Sequence, residues 1–288
     1  MNSRYSPFSS HHHGTDISTT STSIIWWCSS TNYVNIKFKR YSHSIQVMRN
    51  LLCLLLCEWF EWFRLCRVCQ RFEKISRDRT LWREVDLRQK FLDNSELEKV
   101  FQCFHKGTKS LSLTGSLVEL KDKDGLNTET LTPSLFATLS ELANVETLIL
   151  EEHYVNASRL VYNCFPTTLR HLSMENCQLT NVPMKKSYFN NMASHTPLLE
   201  SLNLNGCQWF EDHSLMAISK CPKLTSLRVR NCPLVGTCAA YILLAARFGF
   251  ENLEVLDLRE TAIGDGEIHA FKTKPNLKQL YIDGSLHR

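Results

Sequence analysis

Hydrophobic residues between positions 145 and 282 recur in a fixed frame, apolar-x-x-apolar-x-apolar. The alternation at the end of the frame predicts a short strand with its apolar side chains on one face. The middle residues of successive frames are 24, 30, 25, 29 and 24 positions apart. A weaker copy, Leu111 and Leu113, precedes the six full frames, which are Val145-Leu148-Leu150, Leu169-Leu172-Met174, Leu199-Leu202-Leu204, Leu224-Leu227-Val229, Leu253-Leu256-Leu258 and Leu277-Leu280-Ile282.

Between the frames the apolar spacing changes from that of a strand to that of a helix. Residues 213–218 and 266–271 place apolar side chains at i and i+3, which predicts short helices that pack on the strands. The first of these helices is expected to span Asp212 to Cys221 and to end before Pro222. The segment from Cys238 to Phe248 is longer and almost wholly apolar, so we expect it to be buried.

A small residue stands three positions after the last apolar residue of four frames. These residues are Cys177, Cys207, Cys232 and Thr261. We expect the position to turn inward, where a small thiol fills the core and satisfies the bending backbone.

The period and these residues resemble the cysteine-containing class of leucine-rich repeats. The resemblance implies an α/β fold, a solenoid of about six to seven coils over residues 108–284, with one strand and one helix per coil. Because no single repeat can bury its own leucines, the array is expected to fold as one cooperative unit.

The chain just before the array carries a second pattern. A helical stripe is followed by a turn at Arg77-Asp78, the pair Leu81-Trp82 and a first strand at Val85-Asp86-Leu87. Residues 64–87 resemble the second half of an F-box. Followed directly by leucine-rich repeats, they are similar to the F-box and leucine-rich-repeat proteins, the substrate-receptor subunits of SCF ubiquitin ligases. The stripe consists of Leu65, Val68, Cys69, Phe72 and Ile75.

The resemblance implies a protein without bond chemistry of its own and without a cofactor or metal. It implies binding to a Skp-type adaptor, and through it to cullin and RING subunits, while the repeats hold a protein substrate for ubiquitination and proteasomal degradation. The first half of the F-box, expected at residues 44–63, lacks the Leu-Pro opening. A leucine-rich-repeat binding scaffold with a non-functional F-box therefore stays open as an alternative. The implied adaptor contacts are Leu65, Val68, Phe72, Ile75 and Trp82.

The residues that alternate with the frame leucines point to the other face of the sheet, where a repeat protein binds its partner. Two interpretations of this face stay open. The arginines form a patch for an acidic or phosphorylated peptide, or the face is simply solvated, with Asp257 offsetting Arg259. The candidate substrate contacts are Glu151, Glu175, Asn203, Asn205, Arg228, Arg230, Asp257, Arg259 and Tyr281, with Ile149, Ser173 and Asp283 beside them.

Residues 1–47 form a Ser/Thr/His-rich leader without a sustained apolar period, and we expect it to be disordered. The net charge of +4 arises entirely within residues 1–50, so nucleic-acid binding is not expected. An apolar run from Met48 begins the F-box-like segment, residues 48–87. Glu58 and Glu61 interrupt it before it could span a membrane, which favours a cytoplasmic or nuclear protein.

The twelve cysteines are spread along the chain, which favours reduced thiols over a disulfide framework. Cys53, Cys57, Cys66 and Cys69 have spacings seen in zinc knuckles, but the second pair lies within the helical stripe, so no metal site is predicted. No nucleophile-and-base motif, phosphate-binding loop or zinc-protease motif occurs in the sequence, so an enzyme is not expected.

Overall fold

The computed structural model describes residues 79–80, 82–88, 94–115, 131, 133–182 and 187–283, all within one compact unit, Trp59–Arg288. The predicted leader and residues 48–78 of the F-box-like segment lie outside the described residues. The predicted adaptor contacts Leu65, Val68, Phe72 and Ile75 lie outside them as well.

The described chain forms one eight-stranded parallel sheet in which the strand order follows the chain order. The strands are β1 (Glu84–Asp86), β2 (Ser110–Thr114), β3 (Thr147–Glu151), β5 (His171–Ser173), β7 (Ser201–Asn203), β8 (Ser226–Arg228), β9 (Val255–Asp257) and β10 (Gln279–Tyr281). A separate parallel pair joins β4 (Tyr154–Asn156) to β6 (Gln178–Thr180).

The connections between the strands carry short helices. They are α1 (Asn94–Phe101), α2 (Pro133–Glu141), a 3₁₀ turn (Tyr162–Cys164), α3 (Met192–His195), α4 (Asp212–Ile218), α5 (Ala239–Phe248) and α6 (Asp265–Lys272). Each strand thus returns parallel to the preceding one through a helical connection. The predicted leucine-rich-repeat solenoid is confirmed, and seven of its strands lie within residues 108–284.

The middle leucines of the frames stack directly on one another across the sheet. The register pairs Leu111 with Leu148, then Leu172, Leu202, Leu227, Leu256 and Leu280. All of these except Leu280 on the edge strand β10 are at most 2% exposed. Burying each leucine contributes on the order of 1.5–3 kcal/mol, which is why the frame recurs so regularly.

The sheet begins earlier than the predicted start of the array at residue 108. Strand β1 pairs in parallel with β2, matching Val85 to Leu111. Val85 and Leu87 are buried, as the apolar residues of the later strands are. The last residues of the F-box-like segment are therefore the first strand of the solenoid.

The cysteines that follow the frames occupy the interior, as predicted. Each thiol donates to a backbone carbonyl of the preceding coil: Cys177 Sγ to Leu150 O at 3.0 Å, Cys207 Sγ to Met174 O at 3.0 Å, and Cys232 Sγ to Leu204 O at 3.2 Å. The prediction for Thr261 is wrong in part. Its hydroxyl donates to Leu258 O of its own coil at 2.7 Å, and the residue is only half-buried.

The chain turns at the residue before each of these four inward positions and before His153, which has the same position in an earlier coil. Glu152, Asn176, Gly206, Asn231 and Glu260 all have a positive φ, between 55° and 75°. Glycine and asparagine adopt this left-handed conformation at least cost. At Gly206 a Cβ atom would lie 2.0 Å from Asn176 Oδ1, so the close approach of two successive turns requires glycine there.

His153 occupies the inward position of an earlier coil, three residues after Leu150. Its side chain is 2% exposed, and burial lowers its pKa to about 3, although a hydrogen bond with the Leu113 backbone opposes the shift. Leu113 is the last apolar frame residue of the preceding coil, and Leu150 has the same position in the coil before Cys177. The histidine thus replaces the cysteine of the other coils. The fixed offset from the frame was the only sequence signal for this role.

Asp212 links two coils through its buried carboxylate. Oδ1 accepts a hydrogen bond from Gly236 N at 2.7 Å, while Oδ2 accepts from Cys238 N at 2.6 Å and from Thr237 Oγ1 at 3.0 Å. These donors form the turn that immediately precedes α5, so the buried carboxylate satisfies backbone and hydroxyl donors of the next coil's turn. The helix predicted at this aspartate does begin there, at Asp212.

The expectation that Cys238–Phe248 is buried is wrong for one side of this segment. Helix α5 buries Ile242, Ala245 and Ala246 against the array, but its outer side is open. Because one layer of helices covers the sheet, α5 has neighbours on its sheet side and in the flanking helices α4 and α6, while no described residue covers its outer side. Its exposed apolar residues are Tyr241, Leu243, Leu244 and Phe248, which are 41%, 42%, 42% and 72% exposed. None of the described helices is long and apolar enough to cross a membrane.

Candidate protein-binding surface

The outer face of the sheet carries the predicted substrate contacts in two parallel rows. The first row holds the middle position between the apolar residues of each strand: Asp86, Ser112, Ile149, Ser173, Asn203, Arg228, Asp257 and Tyr281. The second row lies two residues further along each strand: Arg88, Thr114, Glu151, Glu175, Asn205, Arg230, Arg259 and Asp283. We call these two rows the sheet face.

Two carboxylates stand side by side in the first half of the sheet face. The register places Glu151 on β3 beside Glu175, which follows β5. Burial raises the pKa of Glu151, and Glu175 adds to the shift, while Arg88 opposes it. Ser173 Oγ donates to Glu151 Oε1 at 3.3 Å. Neither glutamate forms an ion pair with a described residue, so this part of the face presents negative charge.

The asparagines in the middle of the sheet face hold neighbouring groups in place. Asn203 Nδ2 donates to Glu175 Oε2 at 2.7 Å and to Ser173 Oγ at 3.3 Å. Asn205 Oδ1 accepts from the backbone N–H of Arg230 at 2.9 Å. Their hydrogen bonds cross from one strand to the next, so the polar face is ordered before any partner binds.

The arginines are largely neutralised by acids on the same face. Arg259 Nε donates to Asp257 Oδ1 at 2.9 Å, and Arg230 Nε donates to Glu260 Oε1 at 2.8 Å. Burial alone would raise the pKa of Asp257, but the hydrogen bonds from Arg259 outweigh burial and lower it. The guanidinium of Arg259 also lies 5.3 Å from the centre of the Tyr281 ring.

Of the two interpretations of the arginines, the structure favours the solvated face. Only Arg228 among the three is exposed without an ion pair to a described residue. Asp257 is 4% exposed beneath Arg259, so it offers no free carboxylate to a partner, contrary to its place among the predicted contacts. Glu260, which neutralises Arg230 from thirty residues away, was not among the predicted site residues.

A further ion pair, also absent from the prediction, stands at the start of the sheet face. Arg88 Nε lies 3.0 Å from Asp86 Oδ1, and Arg88 Nη2 lies 2.8 Å from Asp86 Oδ2. These bonds lower the pKa of Asp86. The alternation of Val85, Asp86, Leu87 and Arg88 was a signal for this pair, because Asp86 and Arg88 share one side of a strand.

Trp82 is the one predicted adaptor contact within the described residues, and the structure contradicts its exposure. The indole is 3% exposed and packs edge-on against Phe104, with 6.1 Å between ring centres. Thr108 Oγ1 donates to the Trp82 carbonyl at 2.8 Å. A solenoid has to shield its first coil, and Trp82 serves that purpose.

No group of three or more His, Cys, Asp or Glu side chains that could hold a metal ion occurs within the described ranges. Cys53, Cys57, Cys66 and Cys69, whose spacing resembles zinc knuckles, lie outside them.

No family model and no curated protein matches the chain. Among solved structures, an internalin from Listeria monocytogenes str. 4b F2365 is similar with a TM-score of 0.37 and 15% identity, over 68% of this chain and 55% of the internalin. TLR13 in a complex with ssRNA13 is similar with a TM-score of 0.37 and 18% identity, over 64% of this chain and 31% of TLR13. At this level of similarity neither structure identifies a function. The assignment of the fold depends on the strand order, register and buried leucines described above.

Proposed function

We propose that this chain is the substrate-recognition subunit of an SCF-type E3 ubiquitin ligase complex. In this role the F-box-like segment binds a Skp-type adaptor, which connects to cullin and RING subunits in the cytoplasm or nucleus. The sheet face binds a target protein, which is ubiquitinated and then degraded by the proteasome. Within that family the short array most resembles F-box/LRR-repeat protein 12.

The observation that supports this proposal most is the direct fusion of the two patterns. The F-box-like residues 82–87 contain the buried Trp82 and lead into strand β1, which is hydrogen-bonded to β2. No linker separates the end of the motif from the repeats. A target on the sheet face would then stay close to the transfer machinery, and a high effective concentration would accelerate ubiquitin transfer.

The sheet face is suited to a protein target. It presents Glu151 and Glu175, whose carboxylates form no ion pair with a described residue, on one side and the exposed Arg228 two to three strands away. Neighbouring strands are about 4.8 Å apart, so opposite charges lie on the order of 10–15 Å from each other across the sheet. Such separated charges select a partner by its charge pattern.

One observation favours a second function, that of a leucine-rich-repeat binding scaffold without adaptor binding. Trp82 is buried in the first coil, so it is unavailable as an adaptor contact. Together with the missing Leu-Pro opening, this leaves the adaptor surface to the stripe of Leu65, Val68, Phe72 and Ile75.

Binding of the full chain to a purified Skp-type adaptor separates the two functions. We expect the wild-type chain to co-elute with the adaptor in size-exclusion chromatography. The double change Val68→Asp and Phe72→Asp should abolish co-elution, because charges in the stripe oppose apolar docking. Leu243→Asp with Leu244→Asp is the matched control, since it adds the same charges on the exposed side of α5 and should leave adaptor binding unchanged.

Circular dichroism of each variant shows whether the array is folded. If the folded wild-type chain fails to bind the adaptor, the ligase proposal is wrong and the scaffold function is favoured. Equal binding by the stripe variant would also contradict the proposed adaptor surface.

A further inference from the structure

One residue immediately precedes each strand of the large sheet. We call these eight residues the edge row: Arg83, Lys109, Glu146, Arg170, Glu200, Thr225, Glu254 and Lys278. Each of the first seven accepts, through its backbone carbonyl, a hydrogen bond of 2.7–2.9 Å from the N–H of the next residue in the row. The edge row is therefore a continuous line along one edge of the sheet, at the opposite end of the strands from Glu151 and Arg230.

From its second member onward, the edge row consists of three neutral ion pairs and the uncharged Thr225. Lys109 Nζ lies 2.6 Å from Glu146 Oε1, Arg170 pairs with Glu200, and Lys278 Nζ lies 2.9 Å from Glu254 Oε2. Each cation is matched by an acid from an adjacent strand. Arg83, at the start of the row, has no such partner within the described chain, because its neighbour in the row is Lys109.

Arg83 lines a cleft of about 710 Å³ with other basic side chains. The walls come from two parts of the chain, residues 79–80 with Arg83 and residues within 105–109, and include Arg79, Lys106 and Lys109. Of these, Lys109 is engaged by Glu146, whose pKa is lowered mainly by that hydrogen bond. Arg79, Arg83 and Lys106 form no ion pair with any described residue, and all three are exposed.

Hydrogen bonds between the two walls hold the cleft open in a defined shape. His105 Nδ1 accepts from Gly107 N at 2.8 Å, so Nε2 carries the proton and donates to Arg79 O at 2.9 Å. Lys109 N donates to Arg83 O at 2.7 Å. The backbones that carry Arg79, Arg83 and Lys106 are thus positioned before a ligand arrives.

We propose that this cleft binds a phosphate monoester on a serine or threonine side chain of a partner peptide. Arg79, Arg83 and Lys106 supply three positive charges that no ion pair with a described residue neutralises, more than one carboxylate would balance. The carboxylate of Glu146 is within electrostatic reach of Arg83, but it is already paired with Lys109. A phosphorylated side chain carries about −1.5 to −2 charges and three acceptor oxygens. Guanidinium groups donate to phosphate in a two-pronged geometry. The cleft volume falls within the range of ligand pockets, about 300–1,000 Å³, which leaves room for the residues flanking the phosphate.

A peptide fits the charge distribution better than a nucleic acid does. A nucleic acid requires a basic track several phosphates long. Beyond the cleft, the edge row from Lys109 to Lys278 contains three cations and three acids, so the positive charge stays confined to one place. The cleft joins the end of the F-box-like segment to the turn before β2, and peptide binding to it can be measured without the adaptor.

The test is fluorescence polarisation with the full chain and a labelled peptide that carries one phosphoserine between neutral residues. We expect the phosphopeptide to bind at least about tenfold more tightly than its serine counterpart, and inorganic phosphate to compete with it. Arg83→Gln and Arg79→Gln should each weaken binding by about tenfold or more, and Lys106→Gln by a smaller factor, because lysine donates as a point charge.

Arg170→Gln is the matched control, because it removes the same charge from a paired position of the same edge row. It should change phosphopeptide affinity by less than about twofold. Equal affinity of the wild-type chain for the two peptides would overturn the proposal, as would equal weakening by Arg170→Gln and Arg83→Gln. Tighter binding of oligothymidylate than of the phosphopeptide would overturn the assignment to a peptide. If Arg83→Gln fails to fold, Lys106→Gln, in an exposed turn, provides the same comparison.

Discussion

The inward position after each strand and the edge row before each strand lie at opposite ends of the same strands. The residue type is nearly constant at the inward position and changes from strand to strand in the edge row. The inward position repeats one arrangement: Cys177, Cys207 and Cys232 each donate to a carbonyl of the preceding coil, and His153 occupies the same place. The edge row changes its charge from strand to strand, and its pairs are partly exposed.

This difference in residue variation follows from how far each position is exposed to solvent. Inside, a side chain has to fill a fixed volume and bond a buried carbonyl, so few residues fit. Outside, water screens each charge, and an ion pair contributes little to stability. Stability therefore depends on the interior, and the surfaces are free to carry recognition. Three measurements of the free energy of unfolding, from the largest expected effect to the smallest, examine this contrast.

The leucine column should show the largest effect. Leu202→Ala removes a side chain that is 0% exposed between Leu172 and Leu227, so we expect a loss of about 2–5 kcal/mol in urea denaturation. Leu243→Ala makes the same chemical change at a side chain that is 42% exposed on α5, and it should cost about 0.5 kcal/mol or less. Equal losses would show that the interior does not dominate stability.

The interior position of His153 should make stability depend on pH. Since burial lowers the pKa of His153 to about 3, the unfolded chain takes up a proton between pH 6.5 and pH 3 while the folded chain does not. Stability contributed by the neutral ring is thus complete above pH 6.5 and falls as the pH is lowered, by about 1.4 kcal/mol per pH unit. At pH 5 we expect a loss of about 2 kcal/mol relative to pH 7.5.

His153→Cys installs the residue that three other coils use at this position. The thiol does not titrate between pH 5 and 7.5, so the variant should lack this part of the pH dependence in urea denaturation. Other acidic groups titrate in both proteins and cancel in the comparison. The same slope with pH in both proteins would falsify the role assigned to His153.

The smallest effect is expected on the sheet face. Arg230→Gln removes the pair with Glu260, in which both side chains are nearly half exposed, and should cost at most about 1 kcal/mol. The loss of stability caused by Arg230→Gln should be smaller at high salt, because salt screens exposed charges. A loss as large as that of Leu202→Ala would mean that the surface pairs, rather than the leucine column, hold the coils together.

Much of the fold could be predicted from the sequence because burial imposes a pattern. The spacing of Leu172, Leu202 and Leu227 fixed the strands, and the offset of Cys177, Cys207 and Cys232 fixed the inward position. The burial expected for α5 was wrong for its outer side, because an apolar composition does not reveal how many neighbours a helix has. Phe248 is mostly exposed although it lies in an almost uninterrupted apolar run.

The candidate binding residues were only partly predictable. The alternation within strands placed Glu151, Glu175 and Arg228 on one face, and the register confirms that placement. The pair of Asp257 with Arg259, two residues apart, was also visible as an alternative. The pair of Arg230 with Glu260 could not be predicted, because the two residues are thirty positions apart in adjacent coils and their contact depends on side-chain geometry.

By itself, then, the sequence determined the period, the parallel strands and the face on which polar residues lie, since a repeated apolar frame has few ways to leave water. Tertiary structure decided which charges remain free. Arg79 and Arg83 share a cleft with Lys106 only because β1 pairs with β2, and Arg83 stays unmatched among the described residues only because Glu146 is adjacent to Lys109. Charge matching is a property of neighbours in space, and the order of residues along the chain does not contain it.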